Sequence, residues 1–366
     1  MLGEVASIQA GVGFPVELQG RPQGRYPFAK VGDISRLVRQ GKSDLNKADN
    51  YIDESDLLKL RARLLPAGAI VFAKIGEAIR QNHRAITSVE CLVDNNVMGV
   101  VARTELIIPR YLYHFLRTVN LYPLASSTTV PAIRKSTLEK IRVPLPNLSQ
   151  QQRIVDVLDR ADELRAKRRK ALACLDDLNR SIFTEMFDDP ETNNRGIKLS
   201  NLGSLVKLKS GAFLPGNRMA KNGRHAVLGG NGVTGHHDDY LFEEPKLVIG
   251  RVGAYCGCIH ISPPKSWITD NALYASELDP SVTITYLAHA LRRADLNKYA
   301  SQSGQPLISA SRVYPAPVLV PPIPLQRQFA ERVDLVETFK STNIASLAEL
   351  DALFASSQDR AFRGLL

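Results

Sequence analysis

The pattern of apolar and polar positions changes character along the chain, and then does so again. From residue 1 to about 148, apolar residues come in short runs between Gly, Pro and Asn breakers. Ala69-Ile-Val-Phe-Ala73 is one such run. It is too short and too uniformly apolar for an amphipathic helix, and it reads as a buried strand. From Ser149 to Phe187 there is neither Gly nor Pro. Apolar residues fall there at Ile154, Val157, Ala161, Leu164, Ala171, Leu175, Leu178 and Ile182, with one gap at Arg168. Alternating three-and-four spacing predicts a helix with a coiled-coil seam, capped at Ser149 with Gln152 three residues on. At 1.5 Å per residue that helix is about 55–60 Å long.

The same two textures then recur. Lys246-Leu-Val-Ile-Gly250 reads as a second buried strand, and from Leu325 to about Ala361 the residues Phe329, Val336, Phe339, Leu347, Leu350 and Leu353 keep the helical phase. Tyr111–Val119 and Tyr286–Arg293 predict short helices. Val143-Pro-Leu-Pro146 and Val318-Leu-Val-Pro-Pro322 predict edge strands, because proline lacks the N–H that a central strand needs.

This recurrence is an internal duplication. Leu172-Ala-Cys-Leu-Asp-Asp-Leu178 and Leu347-Ala-Glu-Leu-Asp-Ala-Leu353 share a pattern at one offset, which also relates Tyr111-Leu-Tyr-His-Phe-Leu-Arg117 to Tyr286-Leu-Ala-His-Ala-Leu-Arg292. Ser126, Pro131, Ile133, Val143 and Pro146 pair with Ser301, Pro306, Ile308, Val318 and Pro321, and Asp94-Asn95 pairs with Asp270-Asn271 after a one-residue slip. Leu2-Gly3, Gly11 and Pro15 match Leu202-Gly203, Gly211 and Pro215 at a larger offset. The first copy therefore holds extra residues, expected in a loop-rich stretch between Gln19 and Lys59. Four segments follow: a globular domain over 1–148, a long helix over 149–190, a second domain over 191–322 and a second helix over 323–366. The class is mixed α/β (α+β). The helices either bury their seams against each other or pack on their own heads; Ile154, Leu164, Leu175, Phe329, Val336 and Leu350 are the expected seam.

Charge sharpens this division. The net charge is +10. Residues 1–148 carry +7 and 191–322 carry +5, while each helical segment carries −1. Basic heads on near-neutral helices fit two nucleic-acid-binding heads on a spacer better than a membrane-surface helix. Within the heads, basic and amide residues beside the strand-like runs are the candidates for DNA contact: Lys74, Arg80, Asn82 and Arg84 in the first, Lys209, Asn231, Arg251 and Arg312 in the second.

Catalytic chemistry is hard to find. There is no Gly-x-x-x-x-Gly-Lys-Ser/Thr loop and no Asn/Asp-Pro-Pro-aromatic loop of an amino-methyltransferase, and Gly229-Gly-Asn-Gly232 reads as a turn. Asp239, Glu244 and Lys246 loosely fit a metal-dependent nuclease, which is the alternative enzyme reading; an adaptor with protein-binding heads is another. Cys256-Gly-Cys258 lacks the second pair that a structural zinc site needs, and His236-His237-Asp238 reads as a solvated loop. The four cysteines, the absence of an apolar run near 18 residues and an N-terminus without a signal-like pattern give the expectation of a cytoplasmic protein.

Thr129-Val-Pro-Ala-Ile-Arg-Lys-Ser-Thr-Leu-Glu-Lys-Ile-Arg-Val-Pro-Leu-Pro146, followed by Gln151-Gln-Arg-Ile154 and a long helix, resembles the specificity subunits of type I restriction-modification systems. The second copy is similar in Gln305-Pro-Leu-Ile-Ser309, Pro321-Pro-Ile-Pro324 and Gln326-Arg-Gln-Phe329, although its tail is short beyond Phe362 and its seam is interrupted by Ser346 and Ser357. The resemblance implies two target-recognition domains, an antiparallel helix pair acting as a ruler, and a bipartite double-stranded DNA target. It also implies docked modification and restriction subunits. S-adenosylmethionine, ATP and Mg would belong to those partners, with no cofactor, metal or catalytic residue in this chain.

Overall fold

The computed structural model describes residues 1–126, 129–189, 192–220, 222–301 and 306–365. The expected boundary at 190–191, the motif residue Gln305 and the terminal residue 366 lie outside them. The chain forms two compact units: Met1–Leu172 with Asn343–Leu366, and Ala173–Thr342.

The first unit is built on a five-stranded sheet. Its strands are β1 (Ala6–Ala10), β2 (Asp44–Leu45), β3 (Ile70–Ala73), β4 (Ala85–Thr87) and β5 (Val97–Ala102), in the order β1-β5-β3-β4-β2. Only the β2–β4 pair is parallel. The central strand β3 is buried at every position, because both faces of the sheet are covered. Ile70 and Phe72 point into a core with Tyr111, Leu112 and Phe115 of helix α2 (Pro109–Thr118). Val71 points the other way, into a core with Ile34 of helix α1 (Val31–Arg39). The residues unique to the first copy are thus not the expected loops. They supply α1, β2 and a further apolar cluster of Leu18, Tyr26, Phe28 and Ile52.

The second unit repeats the central layer. Strands β6 (Val206–Ser210), β7 (Leu247–Gly250), β8 (Ile259–Ile261) and β9 (Ala272–Leu278) lie in the order β6-β9-β7-β8, all antiparallel. One face holds Leu247 and Ile249 against Leu287, Ala288 and Leu291 of helix α4 (Ile284–Arg293). The other face is covered differently. Val248 packs with Leu228 and Ile268 of a small sheet formed by His225–Gly229, Gly232–His237 and Trp267–Ile268.

Two 40-residue helices complete the chain, α3 (Leu148–Phe187) and α5 (Ile323–Phe362). Asn147 caps α3 in place of Ser149: its Oδ1 accepts the Gln150 N–H at 2.9 Å. Before α5, Pro317–Leu319 pairs with Leu199–Asn201, but Val143–Pro146 forms no strand. In each unit the two helices run antiparallel. In the first, Arg168 bonds Asn343 and Arg165 bonds Asp351, while Ile154, Val155, Leu158 and Ala161 of α3 and Phe354 and Ala361 of α5 join the head core. In the second, Asp176 pairs with Lys340 and Asn179 with Glu337, and Phe183 and Phe187 meet Phe329 and Val333.

The expected seam residues therefore divide. Ile154, Phe329 and Val336 are buried, whereas Leu175 and Leu350 are half-buried. Leu164 is 38% exposed and lies outside the apolar contact, with Val157, Leu178, Phe339 and Leu353 exposed as well. The reason is that each helix serves its head and its partner helix at once. The buried stripe of α3 widens to Val155 and Leu158, which a strict heptad seam omits.

Candidate nucleic-acid interface

The two heads bring the same loops to the same end of the sheet. Strand β1 ends, β3 ends and β5 begins at this edge, where Ala10 faces Met98 and Ala73 faces Val97. Lys74 follows β3. Its N–H donates to Asn96 O at 2.8 Å, and its own carbonyl accepts from Ile133 N at 2.9 Å. Arg251 follows β7 in the same frame, bonding Asn271 O at 3.0 Å and Ile308 N at 2.8 Å. Next comes a left-handed glycine in each copy, Gly76 (φ 76°) and Gly253 (φ 72°), a conformation costly for any residue with a Cβ. Gly76 N donates to Pro131 O, and Gly253 N donates to Pro306 O. The prolines of the sequence signature thus hold the basic loop in place.

A second pair of glycines lets the first-strand loop pass close to that edge. A Cβ on Gly11 would sit 2.0 Å from Asp94 O, and one on Gly211 would sit 2.3 Å from Ile268 O. Pairing Asn96 with Asn271 through their shared hydrogen bonds removes the one-residue slip expected between Asp94-Asn95 and Asp270-Asn271. The counterpart of Asp270 is Asn95. The exposed Asn96 and Asn271 are the site residues that sequence reasoning missed. Their repeat was visible, but nothing in the sequence shows that it opens β5 and β9 beside the basic loop.

The expected contact residues fall into three groups. Lys74, Lys209, Asn231 and Arg251 stand at or beside this sheet end. Arg251 Nη1 donates to Ser210 Oγ at 3.1 Å, and the turn holding exposed Asn231 abuts Arg251 and Asn271 through Gly230. Arg80 is exposed but already engaged, paired with Glu77 at 2.7 Å and stacked 3.8 Å over Tyr122. Arg312 is exposed on the short helix Ala310–Val313, four residues past Ile308. Asn82 and Arg84 are held by contacts within the head. Asn82 is a left-handed turn residue (φ 51°) whose Oδ1 accepts from Arg84 Nη2 at 2.7 Å and from Leu121 N at 3.4 Å. Arg84 is 4% exposed beside Phe72, so it cannot reach a base edge.

Each head is fastened to its helix by one buried glutamine. Gln151, fully buried, accepts from Ile108 N and donates to Leu106 O and Pro146 O. Gln326, fully buried, accepts from Thr283 N and donates to Ser281 O and Pro321 O. Tyr111 and Tyr286 repeat the device, each donating its hydroxyl to a carbonyl of the exit segment, Pro144 O and Leu319 O.

The duplicated histidines carry opposite polarity. His114, fully buried, contacts Asp159 through Nε2 at 2.7 Å. His289 Nε2 faces Arg292 Nη1 at 3.2 Å and must accept, since a guanidinium only donates. Burial, and then Arg292 and Lys340, push the His289 pKa down to about 4. Its folded pKa lies below the unfolded value near 6.5. The stability it contributes is therefore present above about pH 6.5 and is lost as pH falls toward 4. Urea midpoints of the second unit measured from pH 7 to 4 are expected to fall more steeply for the native chain than for His289→Gln. Parallel curves would contradict this.

Among the described residues no group of three His, Cys, Asp or Glu is arranged to hold a metal ion, and no helix is long and apolar enough to cross a membrane. Asp239, the leading acid of the nuclease alternative, is 85% exposed.

The chain is thus a mixed α/β head that feeds a long helix, made twice with the same basic loop at the same sheet end. Residues 1–173 match the family described as "Type I restriction modification DNA specificity domain". It is 25% identical over 207 residues to the specificity subunit of the type I restriction enzyme EcoprrI of Escherichia coli, covering 54% of this chain and 51% of that one. It is 24% identical over 225 residues to the MjaIX specificity subunit of Methanocaldococcus jannaschii, covering 52% and 50%. The matches span about half the length of these curated relatives. The fold is shared along the whole chain with the type I restriction-modification S subunit of M. genitalium, with a TM-score of 0.67 at 16% identity over 99% of this chain and 94% of that one. A chain from a study of type I system complex assembly matches with a TM-score of 0.54 at 19% identity, covering 100% and 97%.

Proposed function

We propose that this chain is the non-catalytic specificity subunit of a type I restriction-modification complex. It reads a bipartite double-stranded DNA target with one head per half-site and docks modification and restriction subunits. The observation that supports it most is the duplicated loop. Two heads whose sheets are covered by different second layers keep one basic residue, Lys74 or Arg251, in the same hydrogen-bonded frame. Phosphate contact needs the shared charge, and reading two half-sites needs the differing surroundings. Exposed apolar residues on the long helices, among them Leu335 and Phe339, suit the docking of partner helices. As a member of such a complex the chain works in the cytoplasm.

The test is to express the chain with its neighbouring modification subunit and map methylated sites across a genome. A split motif with a fixed spacer is expected. Lys74→Ala and Arg251→Ala should each weaken binding by about tenfold, and each should relax only one half. An undivided motif, or equal relaxation of both halves by either variant, would refute the assignment of one head to each half.

A further inference from the structure

The first unit contains a buried cation that its fold does not explain. Arg84 is 4% exposed, its guanidinium 4.7 Å from the Phe72 ring centroid. Nη1 donates to His83 O, and Nη2 donates to Asn82 Oδ1 and more distantly to Val119 O. Nε has no hydrogen-bond partner among the described residues, and no carboxylate there pairs with the side chain. The other arginines nearby are neutralised: Arg110 by Asp44 and Asp159, Arg117 by Asp162, Arg165 by Asp162 and Asp351. Burying a charge without a counter-charge is costly, and an apolar residue fills such a position at less cost.

The second unit shows that the fold accepts an apolar residue here. Ile86 opposes Ile70 on β3, and Ile261 opposes Leu247 on β7. Two residues before each stands Arg84 in one copy and Ile259, 6% exposed, in the other. The charge is therefore an addition to the shared framework.

Arg84 also lines a cleft of about 1420 Å³, together with Asn82, Arg39 and Lys42. Arg39 and Lys42 are exposed, lie in the stretch the second copy lacks, and have no ion pair among the described residues. His83 touches Ser35 Oγ at the same place. Burial depresses its pKa, and the positive charges of Arg39 and Arg84 add to the effect. Asp33, Asp44, Asp49, Asp159, Asp162 and Glu163 also line the cleft, but each is already paired with another cation, whereas Arg84, Arg39 and Lys42 have no ion pair among the described residues.

We propose that this cleft is an oxyanion site of the phosphate class, with Arg84 as its floor and Arg39 and Lys42 at its rim, present in the first head only. A phosphate there would complete the guanidinium's hydrogen bonding and supply the missing counter-charge. The phosphate can come from a DNA backbone or from a free phosphate ester. Only the DNA source rests on the functional reading above.

The full chain is titrated with inorganic phosphate, followed by 31P NMR, and separately with random-sequence duplex DNA across a salt series. Arg84→Ile, the residue the second copy uses, is expected to fold and to bind phosphate at least about tenfold more weakly. The surface variant Arg39→Ala/Lys42→Ala, which leaves the core untouched, is expected to weaken phosphate several-fold. Unchanged phosphate binding in either variant overturns the proposal. If the site takes backbone phosphate, Arg84→Ile also lowers the slope of log K against log salt by about one. If the slope holds while phosphate binding is lost, the site serves a free phosphate ester. Failure of the DNA arm alone leaves the phosphate result standing.

Discussion

Gln151→Leu is expected to destabilise the first unit by about 3–5 kcal/mol, a large loss for one near-isosteric change. Leucine fills the volume, so the loss is not one of packing. Three backbone groups lose a side-chain partner at once: the Ile108 N–H, the Leu106 carbonyl and the Pro146 carbonyl. They lie beside a fully buried side chain, where an unmet donor or acceptor costs about 1–3 kcal/mol each. All three belong to the segments that carry the chain from head to helix. Hydrogen exchange in α2 and at the start of α3 is therefore the site-resolved measure, alongside the urea midpoint. The chain's one tryptophan, Trp267, belongs to the second unit. Its fluorescence should report Gln326→Leu, which removes the equivalent three bonds. A loss below about 1 kcal/mol in both variants would show that the glutamines are not the fastening.

The duplication made much of this legible. Runs such as Ile70–Ala73 and Leu247–Gly250 announce central strands because both faces of each sheet are covered and every side chain is apolar. The glycine- and proline-free stretches announce the long helices. Gln151 and Gln326 were visible as part of a signature, but their three-bond clasp depends on carbonyls some 45 residues away, which no local pattern reveals. The residues special to the first head read as loop because α1 and β2 are short and their apolar partners are distant in sequence. The burial of Arg84 is hidden from the sequence for a related reason. A charged residue beside a strand reads as surface, and only the fold shows that Phe72 and the carbonyls of His83 and Val119 enclose it. Lys74 and Arg251 were identifiable as basic residues closing a strand. Their common frame rests on the Asn96 and Asn271 carbonyls, which are distant in sequence.

Phe329→Ala should cost the second unit about 3–5 kcal/mol, the range for removing a fully buried aromatic ring. Phe329 is completely buried, with its ring 5.5 Å from Phe183, 5.2 Å from Phe187 and 5.2 Å from His289, edge-on to each. It joins three elements: the last turns of α3, helix α4 and the start of α5. The first unit solves the same junction in another way. Its counterpart there is Ile154, and the aromatic rings come from α5, where Phe362 packs on Tyr111 at 5.3 Å and on Phe115 at 5.5 Å. Phe329→Ile therefore places in the second unit the residue the first one uses, and should restore much of the loss, because the aliphatic side chain refills most of the cavity. Trp267 fluorescence in urea reads the outcome directly, the alanine variant unfolding well before the isoleucine variant. Equal midpoints for Phe329→Ala and the native chain would mean that α3 and α5 are held to the second head by the Lys340–Asp176 and Asn179–Glu337 contacts. The Lys340–Asp176 pair is partly exposed and worth under about 1 kcal/mol, and the buried Asn179 adds one hydrogen bond of about 1–3 kcal/mol, so neither contact alone matches the ring.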